Sequence, residues 1–69
     1  MKPERAKEII KSASPVARRM LLLLKRDGYL VYWDDRQTIW LNRRGLVRMD
    51  RRDYLVLTRT GKEVAAQLP

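Results

Sequence analysis

The stretch LNRRGLVRMDRRDYLVLTRTGKEV, residues 41–64, constrains this chain most, because its punctuation leaves few ways to fold it. Gly45 stands where a helix would stop in the left-handed region. Two short apolar runs follow, residues 46–49 and 54–57, joined by Asp50-Arg51-Arg52-Asp53 with turn-compatible aspartates at both ends. That pattern predicts an antiparallel hairpin with a four-residue turn. Leu57-Thr58 then passes into a last helix, with Val64, Ala65 and Leu68 at helical spacing. Two caps compete for its start: Thr58, and Thr60 with Glu63 three residues on, a formal capping box. Gly61 is costly inside a helix, so it predicts a close backbone contact in that first turn.

The residues ahead of this stretch read as three helices and one strand. Pro3 suits a first-turn position, and Ala6, Ile9, Ile10 and Ala13 make an apolar stripe over residues 3–13. A stripe that narrow packs on a small core or on a second copy, and the core is preferred. Ser14 caps a second helix with Pro15 at its first position, and Gly28 ends it after Asp27. Val16, Ala17, Met20, Leu21, Leu23 and Leu24 form an arc so wide that this helix is expected to be covered on more than one side. Arg18, Arg19 and Arg26 stay outside. Residues 29–33, YLVYW, have strand length and strand composition. Their aromatics could stack on bases, but bulk for a thin core is the preferred reading.

Asp34 caps the third helix, with Gln37 at the capping-box position, and Gly45 ends it. Adjacent Asp34 and Asp35 lack a third ligand or a histidine, so no metal site and no acid/base pair is expected. At 100° per residue Thr38 and Leu41 face one way while Arg36, Trp40 and Arg43 face the other. Ile39 lies beside that stripe, and an alternative rotation buries Ile39 or Trp40 instead.

Composition sets the partner's sign. The 69 residues make one domain, residues 1–69, which buries only about 60% of the surface its unfolded chain exposes. There is no cysteine to staple it and no histidine. Lysine and arginine total 16 against 8 acidic residues, a net charge of +8, as expected for a partner of polyanions. Eleven of the 16 are arginines, whose planar heads suit phosphate and base edges, although basic proteins also bind acidic protein surfaces. Residues 36–52 hold six arginines and one acid, Asp50. A solvated face of that size normally mixes signs. The longest apolar run, MLLLL at residues 20–24, is far short of the roughly 20 residues that span a bilayer. Neither it nor the N-terminus has the form of a signal peptide, so a cytoplasmic setting with no membrane contact is expected.

Leu41, Gly45-Leu46-Val47, then Leu57-Thr58 and Gly61 resemble the second half of winged-helix domains. There a recognition helix ends in an L-x-x-x-G-L-V turn, a two-stranded wing follows, and L-T-x-x-G opens a closing helix. The likeness covers residues 35–68. It implies an α+β fold, here a reduced winged helix of order α-α-β-α-β-β-α, since a strand replaces the helix that usually precedes the recognition helix. It also implies that the third helix enters the major groove of double-stranded DNA while the wing touches backbone or minor groove. The DNA-binding positions would then be Arg36, Gln37, Trp40, Arg43 and Arg44 on the helix, with Arg48, Arg51 and Arg52 on the wing. Gln37 and the arginines have the chemistry to read adenine and guanine edges.

The resulting expectation is a DNA-binding protein, a small transcriptional regulator, paired as a homodimer through its first or last helix. The alternative is a winged-helix adaptor or inhibitor docking on an acidic partner, with Trp40 as anchor. Binding of RNA or single strands through Tyr29, Tyr32 and Trp33 ranks third. No enzyme activity, cofactor or small-molecule ligand is expected: nucleophile, base and glycine-rich phosphate loop are all missing, and so small a chain has little concavity.

Overall fold

Side-chain caps open three of the four helices of the structure, a computed structural model that describes residues 2–31 and 33–69. Helix α1, Pro3–Ser12, ends where Ala13 turns extended (ψ 141°) ahead of Pro15. Its Ala6 and Ile9 are buried, as is Ala13, so its apolar stripe serves the chain's own core. Helix α2, Pro15–Asp27, begins on the Ser14 hydroxyl, which accepts the Ala17 N–H at 3.0 Å. It stops at Gly28, with φ of 87°. Helix α3 spans Asp35–Arg43, strands β1 and β2 span Val47–Met49 and Leu55–Leu57, and helix α4 spans Arg59–Ala65. The strands pair antiparallel with Val47 opposite Leu57 and Met49 opposite Leu55. The architecture is thus four helices and one two-stranded antiparallel sheet, a small α+β fold.

Helix α2 is the central support, with Ala17, Met20, Leu21 and Leu24 buried. As expected it is covered on more than one side, packing against α3, β2 and α4, although Val16 of its apolar arc is 47% exposed and Leu23 half-buried; Leu22, outside that arc, is 38% exposed. Leu41, Leu46, Val47, Leu55 and Val64 complete the centre, each at most 1% exposed. The core holds no buried polar or charged residue among those described. No described helix is long and apolar enough to cross a membrane.

The expected strand at residues 29–33 shrinks to one bridging pair. Leu30 and Leu55 exchange two backbone hydrogen bonds of 2.9 Å, and neither Tyr29 nor Val31 joins a ladder; Tyr32 lies outside the described residues. The element order is therefore α-α-α-β-β-α. The reason is length: the chain must leave the left-handed turn at Gly28 and enter α3 at Asp34, so only the middle of the connector runs beside β2. Tyr29 instead stacks on Tyr54, ring centres 5.2 Å apart.

The C-terminal half is closed by two local devices. After α3, the Leu46 N–H reaches the Leu41 carbonyl (3.1 Å) and the Gly45 N–H reaches that of Asn42 (2.9 Å). With Gly45 at φ of 72°, this is a Schellman stop, and the buried Leu41 and Leu46 supply its apolar contact. At α4 the competition between caps is resolved: the Thr58 hydroxyl accepts the Gly61 N–H at 2.9 Å and donates to the Gly45 carbonyl at 2.5 Å. The close approach anticipated at Gly61 is present, since a Cβ there would sit 1.9 Å from the Leu46 carbonyl oxygen.

Urea melts should therefore rank three variants. Gly61→Ala should cost about 3 kcal/mol, the upper end of overpacking, because the obstruction is backbone. Thr58→Ala should cost about 1–2 kcal/mol as a lost cap. Thr60→Ala should change stability by less than about 0.5 kcal/mol.

Candidate nucleic-acid interface

Helix α3 is placed by its two ends. At its start the Asp34 carboxylate accepts the Gln37 N–H at 2.9 Å, while the Gln37 side chain turns away from the cap. Its amide oxygen accepts the Ser14 hydroxyl at 2.8 Å, tying α3 to the first turn of α2. Gln37 is half-buried. Among the residues expected to meet a partner, its side-chain oxygen is thus already bonded inside the chain.

The rotation left open by the sequence is now defined. Leu41 points inward and is fully buried, Trp40 is half-buried against the core, and Ile39 is 53% exposed. The outward stripe of α3 is thus Arg36, Ile39 and Arg43, with Trp40 at its edge. The Arg44 guanidinium lies over the Trp40 ring, 3.7 Å from its centre, and also reaches the Trp40 carbonyl at 3.5 Å.

Arg36, Gln37, Ile39, Trp40, Arg43 and Arg44 line one shallow depression, and Thr38, Ile39, Asn42, Arg43, Arg48, Met49 and Leu55 line a second. Ile39 and Arg43 belong to both, so the outer face of α3 and the edge of β1 form one continuous surface. Six of the eight expected residues lie on it. Arg51 and Arg52 stand apart, at the hairpin tip. Asn42 holds the seam between the elements by donating to the Val47 carbonyl at 3.2 Å.

The tip is built by one carboxylate. Asp50 accepts the backbone N–H groups of Arg52 (2.8 Å) and Tyr54 (2.9 Å), and Asp53 takes the left-handed conformation at φ of 62°. Arg52 folds back over this turn, 3.6 Å from the Asp50 carboxylate and with its guanidinium 4.8 Å from the centre of the Tyr54 ring. The N–H of Tyr54 foremost, then that of Arg52 and its positive charge, hold the Asp50 carboxyl below the usual carboxylate range. Elsewhere Arg18 donates to the Ile10 carbonyl at 3.1 Å at the end of α1, and Arg26 pairs with Asp27 at 2.8 Å. Among the described residues, Arg36, Arg43, Arg48 and Arg51 are exposed and bind no protein group.

Sequence reasoning missed the two apolar residues in this basic surface, Ile39 and Met49, 53% and 43% exposed. The signal for Ile39 was its place beside the arginine stripe. For Met49 it was the pleat, which puts it on the face of Val47, two residues nearer the turn of the hairpin. No protein-family model matches this chain, and neither a curated protein nor a solved structure matches it.

Because the folded-state pKa of Asp50 is depressed, its contribution to stability is complete above the pKa of an unfolded aspartate, about 3.9. It is lost as pH falls through the lower folded value. In an NMR titration the Arg52 and Tyr54 amide resonances should hold their positions through that unfolded value and move only at lower pH. Asp50→Ala should abolish this late transition.

Proposed function

We propose that this protein binds double-stranded DNA as a small winged-helix-like regulator, with α3 as the helix that enters the major groove and the hairpin as its wing. The observation that carries the reading is the continuous surface of α3 and β1, where Arg36, Arg43 and Arg48 project without internal partners. The order of helix, Schellman turn, hairpin and Thr58-capped helix supports the likeness. So does the Leu30–Leu55 bridge, which adds a third segment beside the hairpin. The bracing that a preceding helix would give α3 is assigned to α2, through the Ser14–Gln37 hydrogen bond.

Arg36, Arg43, Arg48 and Arg51 are free to meet phosphates, while Arg44 and Arg52 are pre-oriented on aromatic rings and cost less entropy to use. Ile39 lies between Arg36 and Arg43, where an aliphatic side chain would meet a thymine methyl group. Gln37 is better explained as a brace than as a reader of adenine.

The exposed Ile39 and Met49 also favour a second reading, docking on an acidic protein surface with apolar content. Salt dependence separates the two. Four to six phosphate contacts should give a slope of log affinity against log salt of about −4 to −5 in anisotropy measurements on duplex DNA. Arg43→Glu with Arg48→Glu should weaken binding at least about tenfold and flatten the slope by about 2, with the circular dichroism unchanged. A flat salt response, or DNA affinity indifferent to these changes, overturns the DNA reading in favour of the protein partner.

A further inference from the structure

We propose that the outer face of α2 and the connector before α3 form the seam of a twofold homodimer. The sequence had pointed to the first or last helix for such a role. Those helices have spent their apolar faces: Ala6 and Ile9 of α1 and Val64 and Ala65 of α4 are buried within one chain, where the two helices pack together. The unspent apolar surface is on α2. Val16 is exposed and Leu23 half-buried, and the groove they line runs across Leu30 and Trp33 of the connector; Leu22, also exposed, lies on the adjoining side of α2 beside Lys25 and Arg26.

The charges around this groove select the occupant. Arg19, from α2, stands on its rim, and Asp34 and Asp35, from the start of α3, also line it. In a twofold pairing each patch meets its own copy, so the interface must be self-complementary. An apolar floor with a cation on one side and two carboxylates on the other meets that requirement: Arg19 of each chain faces the aspartates of its twin. A uniformly basic rim, such as that of the α3–β1 surface, would repel a copy. The seam is separate from the arginines Arg43 and Arg48, so pairing leaves both basic surfaces open. It does not depend on what those surfaces bind.

Sedimentation velocity of the full chain, without nucleic acid and over a concentration series, tests the proposal. The wild type should approach twice the 8.2 kDa chain mass. Val16→Lys, at a half-exposed position, should leave a monomer with unchanged circular dichroism. Arg19→Glu and Asp35→Lys should each weaken self-association about tenfold or more, through like charges facing one another. An equimolar mixture of these two variants should recover the wild-type dimer, because in the mixed pair both rims are again complementary. Recovery on mixing is a property only of contact between chains. A wild type that stays monomeric throughout, or a dimer indifferent to Val16→Lys, or charge variants that fail to recover on mixing, overturns the proposal. Because no DNA is present, that failure is distinct from failure of the DNA-binding reading.

Discussion

The first turn of α4 rests on the backbone at Leu46, and the rest of the C-terminal half depends on that contact. Only a residue without a side chain fits at Gly61, where the Leu46 carbonyl oxygen occupies the position of a Cβ. The same carbonyl accepts the Thr58 N–H at 3.0 Å, and the Thr58 hydroxyl reaches the Gly45 carbonyl. Three junctions are thereby locked to one another: the end of α3, the entry to β1, and the start of α4. A chain of 69 residues has few apolar side chains to spend, so it fixes the angle between α3 and the hairpin with backbone hydrogen bonds. The α3–β1 surface takes its shape from that angle.

What was legible in the sequence is what is settled within a few residues. Ser14, Gly28, Asp34 and Gly45 act as caps and stops through bonds to groups three or four positions away, and their chemistry can be read from the order of residues. Gly61 was legible for a different reason, since a glycine in a helix needs explaining. The connector at residues 29–33 was not legible as a single bridge. Its β propensity is real, but pairing depends on how much of β2 lies alongside, and that is decided 25 residues later. Gln37 shows the same limit: its capping-box position is local, whereas Ser14, its actual partner, is 23 residues distant. Likewise Ile39 and Trp40 are neighbouring apolar residues, and periodicity could not say which one the core would take. Trp40 is held there with Arg44 stacked on its ring, giving the bulkier side chain the half-buried site.

Not every arginine of the basic surface needs an external partner to explain it. Arg43 and Arg44 occupy the end of α3, where cations are favoured by the helix dipole, and Arg44 gains a ring face as well. Arg52 has a carboxylate and Tyr54. Arg36 is different, because it stands in the first turn of α3, where the dipole opposes a positive charge by about 0.3–1 kcal/mol. Arg48 projects from a strand beside Arg43, and Arg51 from the tip beside Arg52, with no carboxylate bonded to either. Both are exposed, so neither charge is needed to hold the fold together. Within the surface that carries the proposed reading, Arg36 and Arg48, with Arg51 at the tip, are thus the arginines for which folding gives no visible use, and the proposed polyanion would give them one.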